Sequence, residues 1–198
     1  MKGETLVRIQ SGPPTCPGPV TAPSTSPPSD GLSMLINEPV NLREWKPQAG
    51  APARARLYTA GRPGRGTPAY GRIRRPVDDA IIDTWVAGLP AGDVLHIVSL
   101  LGKKTDGYSE YTYYPFRSCL EAGPKPTFQD WLHQRHGPRF LVHEFPTTDA
   151  RGIEDDLMER VATCARRLLL EGQTVLIIDS AGAERTARVC EHLGFQRK

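Results

Sequence analysis

The sequence predicts an α/β domain with a mostly parallel central sheet flanked by helices. Three observations carry this expectation. Short apolar runs, Val94–Leu101, Phe140–Glu144 and Val175–Ile178, alternate with stretches of helical periodicity, the order that lays helices over parallel strands. The last run opens directly into Asp179-Ser180-Ala181-Gly182-Ala183 and a helix start, a loop at the carboxyl end of a strand, where open α/β sheets hold ligands. With 198 residues, 38% of them hydrophobic, the chain can bury one sizeable core, and it has no apolar run of about 18 residues that would span a bilayer.

In chain order, residues 1–31 are dominated by Pro, Ser, Thr and Gly (Pro13-Pro14, Pro17, Pro19, Pro23, Pro27-Pro28), too poor in apolar surface to offset ordering entropy, and disorder is expected. The opening lacks the apolar core of a secretory signal. Gly3 through Pro13 looks like a conceptual translation of a transfer-RNA 3′ region, with Val7-Arg8-Ile9 matching its T-loop, which would place the native start at Met34. Residues 32–54 are expected as a linker or loosely packed lead-in, and 55–198 as the domain. Arg56 to Pro63 suits a short strand and turn. Val77 to Leu89 suits a helix: Asp78 and Asp79 favour its positive end, Ile81, Ile82, Trp85 and Val86 form an apolar face, and Gly88 and Pro90 stop it.

Val94–Leu101 is the most apolar strand and belongs at the centre of the sheet. Asp106-Gly107 signals a hairpin turn into Tyr108–Phe116, whose Tyr111, Tyr113, Tyr114 and Phe116 are expected to pack in the core or on the sheet, the alternative being a stacking platform for an aromatic ligand. Pro126–Gly137, with Phe128, Trp131 and Leu132, predicts a short helix, and Phe140–Glu144 a strand. Leu157, Val161, Ala165 and Leu168 line one face of a helix over Asp155–Leu170.

The stretch Asp179 to Thr186 has a physical logic of its own. Backbone N–H groups curling into a helix N-terminus make a positive concavity, the helix dipole adds to it, and Arg185 can offer two parallel donors to an oxyanion. Small residues let the backbone turn sharply, and Gly182 can take positive φ at little cost. The competing expectation is an ordinary strand-to-helix turn, with Ser180 or Thr186 as the cap and Arg185 on a solvated face.

The octet resembles the C-x5-R-[ST] signature of the cysteine-dependent tyrosine and dual-specificity phosphatases. Ser180-Ala181-Gly182 and Arg185-Thr186 match it, Asp179 stands where the family has its nucleophilic Cys, and Ile178 where it has a His. Asp149, in Phe145-Pro146-Thr147-Thr148-Asp149, precedes Asp179 by about thirty residues, the interval at which the family places the loop acid that protonates the leaving oxygen. The resemblance covers about residues 55–198 and implies a phosphotyrosine-phosphatase-like fold, with Ser180, Ala181, Gly182, Ala183, Glu184 and Arg185 around the phosphoryl group and Asp179, Arg185, Asp149 and Thr186 in the catalytic positions. Relatives generally continue with further helices beyond this point, so the insert Tyr108–Gly137 is expected to cover the sheet face those helices protect.

Replacing a thiolate by a carboxylate weakens the nucleophile and sets one negative charge against another: two unit charges ~4 Å apart repel by about 4 kcal/mol at an effective dielectric near 20. Asp179 could also fill the amide concavity itself. Three expectations follow. One is a phosphatase-like module that binds a phosphorylated protein or small phosphate ester with little or no turnover. The second is a phosphomonoesterase in which Asp179 attacks, Arg185 clamps, Asp149 protonates and Thr186 supports the nucleophile. The third is a non-catalytic interaction domain with a vestigial loop.

The remaining features are quieter. A net charge of +3 suits anionic ligands but does not by itself argue for nucleic acid. Cys16, Cys119, Cys164 and Cys190 lack zinc-like spacing and are expected to be reduced thiols of a cytoplasmic protein, and His133 and His136 to lie on a surface helix face; no metal or cofactor is expected. Arg54, Arg56, Arg62, Arg65, Arg72, Arg74 and Arg75 precede the next acid, Asp78, and are expected to be a solvated loop cluster, the alternative being a patch for an anionic partner.

Overall fold

The structure, a computed structural model, describes residues 39–49, 56–66, 76–103, 108–148 and 152–197. The disorder expected of 1–31 lies outside these residues. Six strands, β1 (Arg43–Pro47), β2 (Arg56–Gly61), β3 (Leu95–Ser99), β4 (Phe140–Glu144), β5 (Thr174–Asp179) and β6 (Phe195–Arg197), form one sheet in the order β4-β3-β5-β2-β1-β6. Four helices flank it among the described residues: α1 (Asp79–Ala87), α2 (Phe128–His136), α3 (Asp155–Leu170) and α4 (Glu184–His192).

The α/β class holds, but the sheet is mixed rather than mostly parallel. β4, β3, β5 and β2 pair in parallel, whereas β1 pairs antiparallel with both β2 and β6. The physical reason is local. Trp45 is the one strongly apolar residue of β1, between Glu44 and Lys46, and β6 has only three residues, so neither carries a visible strand pattern. β1 also brings part of the expected lead-in into the sheet: Trp45 is buried and its indole N–H donates to the Thr59 hydroxyl at 3.1 Å.

Strand alternation sorts the core into two layers, because successive side chains point to opposite faces. On one face Leu95, Ile97, Leu176 and Ile178 meet α1, α2 and the insert; on the other Val98, Leu100, Val175 and Ile177 meet α3 and α4. The residues Ile81, Ile82, Trp85 and Val86 expected to form the apolar face of α1 are its buried ones, and Val161, Ala165 and Leu168 anchor α3.

The insert packs rather than pairs. Tyr111, Tyr114 and Phe116 are buried on the face of α1 and α2, with Phe116 stacked on Phe128 at 4.4 Å between ring centroids. Over 108–116 the backbone forms turns and only a single bridge, Lys103 to Ser109, where a hairpin strand was expected. The rings are pinned by i→i+3 turn bonds such as Tyr114 N to Tyr111 O at 3.0 Å, and Lys125 Nζ donates to the carbonyls of Thr112 and Tyr114. Core burial of aromatics has outweighed the strand propensity of the same residues. Residues 104–107 lie outside the described set.

α2 does more than cover the sheet. Gln129 Oε1 accepts from Val142 N at 2.9 Å and His133 Nε2 donates to Phe140 O at 2.6 Å, so side chains of α2 serve the outward backbone of edge strand β4. No helix among the described residues is long and apolar enough to cross a membrane.

The connections locate the site. After β3 the chain passes to α2 on one face, and after β5 it passes to α4 on the other. Adjacent parallel strands whose connections leave in opposite directions open a crevice at their carboxyl ends. Here the ends are Ser99-Leu100 and Ile178-Asp179.

Candidate functional site

β5 delivers Asp179 into that crevice with 2% of its surface exposed. The loop then turns through Gly182, which sits at φ 67° with its backbone against the end of β2; a Cβ there would fall 2.1 Å from Gly61 N and 2.2 Å from the Ala60 carbonyl carbon. A left-handed φ and that closeness both require glycine. Ala183 stands at the N-cap of α4, and its side chain offers no cap.

The missing cap comes from Asp179. Its carboxylate folds back into the concavity that the loop makes. Oδ1 accepts from Ala181 N at 2.8 Å and from Gly182 N, while Oδ2 accepts from Thr186 N at 3.1 Å, seven residues along the chain. Three amides that could face an oxyanion thus face an internal one, and the carboxylate lies at the positive end of the helix, where negative charge is favoured. Of the residues expected around a phosphoryl group, Ala181 and Gly182 supply inward N–H groups and Thr186 adds a third. Ser180 is half-buried, and Ala183 and Glu184 are exposed.

Arg185 is held inside at the strand ends. It is 5% exposed, and Nη1 donates to the Leu100 carbonyl at 3.1 Å and to the Thr147 hydroxyl, which itself donates to the same carbonyl at 2.7 Å. Nη1 lies 3.7 Å from Glu110 Oε2, and Nε lies 4.0 Å from Asp179 Oδ2. The solvated-face alternative for Arg185 is therefore incorrect: burial with carbonyl and carboxylate acceptors holds the guanidinium inside. Thr186 contributes its amide to Asp179, while its buried hydroxyl has no hydrogen-bond partner among the described residues. Asp149 lies outside the described residues; its neighbour Thr147 is buried beneath Arg185.

Glu110 is the residue that sequence reasoning missed. It sits among the insert's tyrosines and is 6% exposed, and its Oε2 accepts from Gly102 N at 3.0 Å while its own N–H donates to Gly102 O at 2.8 Å. Gly102 packs so closely on Thr147 that a Cβ would lie 2.1 Å from the Thr147 carbonyl oxygen. Glu110 Oε1 is buried and unpartnered among the described residues. Among the described residues, two carboxylates, Asp179 and Glu110, and one guanidinium, Arg185, meet here with a summed formal charge of −1. Nothing in the spacing of Glu110 marks it; the packing of Tyr111, Tyr114 and Phe116 and its two bonds to Gly102 bring it to the strand ends.

Asn41 was also missed. It precedes β1 with φ 55°, the left-handed region that Asn tolerates better than most residues, and its Nδ2 donates to Ala181 O at 2.7 Å. A cleft of about 400 Å³ opens beside the site, lined by Gly102, Lys103, Tyr111, Ser118, Pro146 and Thr147 among others. The Tyr111 hydroxyl shares a 3.0 Å hydrogen bond with Ser99 Oγ, and burial pushes its pKa well above the usual tyrosine value.

Other flagged residues lie elsewhere. His133 serves the β4 edge, His136 faces Asp83 of α1 at 2.9 Å, and no group of three or more His, Cys, Asp or Glu among the described residues could hold a metal ion. Burial raises the thiol pKa of Cys119, Cys164 and, most strongly, Cys190, the opposite of an activated nucleophile; Cys16 lies outside the described residues. Arg62 Nη1 donates to the Tyr114 hydroxyl at 3.0 Å, tying one member of the arginine run to the insert, while Arg54, Arg72, Arg74 and Arg75 lie outside the described residues. Comparison with family models, curated proteins and solved structures gives no match to this chain, so its functional reading rests on the geometry of the loop.

Proposed function

We propose that this chain is a phosphatase-like domain without turnover, a non-catalytic interaction domain whose oxyanion slot is occupied by its own Asp179. One observation carries the reading: both carboxylate oxygens of Asp179 are taken by the amides of Ala181, Gly182 and Thr186. A nucleophile needs a lone pair aimed at phosphorus and a phosphoryl group seated in the amides. Here the would-be nucleophile sits in the seat. An incoming phosphate would also meet the formal −1 charge of Asp179, Glu110 and Arg185. Each further pair of like charges ~4 Å apart costs about 4 kcal/mol at an effective dielectric near 20. Turnover by Asp179, or a phosphorylated ligand in the loop, would require the carboxylate to leave three hydrogen bonds; a scaffold role requires no such change.

Turnover of p-nitrophenyl phosphate and binding of tungstate, measured for the native chain, Asp179→Asn and Asp179→Cys, test this. The native chain is expected to do neither, and Asp179→Cys to gain oxyanion binding because the smaller side chain vacates the amides. Native turnover that disappears in Asp179→Asn would establish a carboxylate nucleophile and overturn the proposal.

A further inference from the structure

We infer that Asn41 is the positioning residue of the amide cradle, and that the segment before β1 thereby decides whether loop 179–186 can present its N–H groups to any oxyanion. The inference rests on the proposed cradle. The Ala181 carbonyl and the Gly182 N–H belong to one planar trans peptide and point in opposite directions. Asn41 Nδ2 holds the carbonyl end at 2.7 Å, and Asp179 Oδ1 holds the N–H end. The same plane is thus gripped from both sides, and the residue after it, Gly182 at φ 67°, is of the kind that lets such a plane rotate at low cost.

Two further contacts fix the donor. Gly61 N donates to Val40 O at 2.8 Å, and the Val40 side chain abuts Gly61, where a Cβ would lie 2.6 Å from Val40 Cγ1. Asn41 itself adopts a left-handed backbone at φ 55°. The segment 40–41 therefore clasps the end of β2 and the loop together, so that docking of the lead-in and orientation of the 181–182 peptide are one event. The ligand class is any small oxyanion, carboxylate or tetrahedral, since the amides offer only N–H donors.

Hydrogen exchange of individual amides in the native chain and in Asn41→Gly, which tolerates the left-handed backbone and removes the donor, is the test. Gly182 N–H is expected to exchange about fivefold faster, the weight of one hydrogen bond, with Thr186 N–H much less affected although it binds the same carboxylate. Asn41→Asp, which also tolerates positive φ but cannot donate, should reproduce the effect. An unchanged Gly182 amide, or equal acceleration of Ala181, Gly182 and Thr186 as expected of general loosening, would overturn the inference. In an Asp179→Gly background, Asn41→Gly should also weaken tungstate binding about fivefold. Failure of Asp179→Gly to bind tungstate at all would count against the cradle, while the exchange result in the native chain still decides the role of Asn41.

Discussion

Replacing Asp179 by Ala should damage the fold more than it damages any activity. The substitution removes the acceptor of three amide donors at the buried start of α4. A buried donor left unserved costs about 1–3 kcal/mol, so three at the lower end give about 3 kcal/mol, the lower end applying because the vacated slot can admit water. In a domain of this size each kcal/mol moves Tm by about 2–4 °C, so a fall of about 6–12 °C is expected. The loss should be recoverable. Without Asp179 the pair Glu110 and Arg185 is formally neutral, and an added oxyanion can take the amides. Tungstate at about 100 times its Kd would return about 2.7 kcal/mol. Thermal and urea unfolding followed by circular dichroism, with and without tungstate, measure both halves. If Asp179→Ala melts within about 2 °C of the native chain, or if no oxyanion restores it, Asp179 is not the filler of the slot.

Two more outcomes follow from the same geometry. Gly182→Ala should cost more than the about 1 kcal/mol of an ordinary strained φ, because its Cβ would meet backbone at 2.1 and 2.2 Å, and urea midpoints should show a far larger loss than for Gly172→Ala, which is also left-handed, at φ 77°, but meets nothing within 4 Å. His96 and His143, stacked with Nδ1 and Nε2 3.1 Å apart, both have pKa values lowered chiefly by burial, with Arg167 adding to the effect on each, and Glu171 and Gln173 opposing it at His96. Their neutral forms are favoured in the folded state, so this stability is present above about pH 6.5 and lost as pH falls through the lowered values; His143→Gln should flatten the urea midpoint between about pH 7.5 and 5, and an unchanged slope would show that the pair is not responsible.

The parallel half of the sheet was legible because burial on both faces leaves continuous apolar runs, as in Val94–Leu101 and Val175–Ile178. The antiparallel half was not, since Trp45 alone anchors β1. At the site, the local spacing of Ser180, Ala181, Gly182 and Arg185 was informative about the loop, and the physics of a carboxylate beside free amides anticipated where Asp179 would lie. Its partners were hidden. Glu110 and Asn41 reach the loop across 75 and 140 residues of chain, through packing of the insert and clasping of the lead-in, and neither leaves a periodic trace. Arg185 illustrates the limit differently: its residue type was suggestive, but whether it faced solvent or the strand ends depended on Leu100, Thr147 and Glu110.

The attention that α2 gives to β4 restricts how this molecule can meet others. A bare strand rim is an adhesive surface that any extended peptide can lengthen, and Gln129 and His133 occupy it where Val142 and Phe140 would otherwise advertise for a neighbour. Main-chain zippering along β4 is thereby disfavoured, and contact at this rim falls to side chains instead.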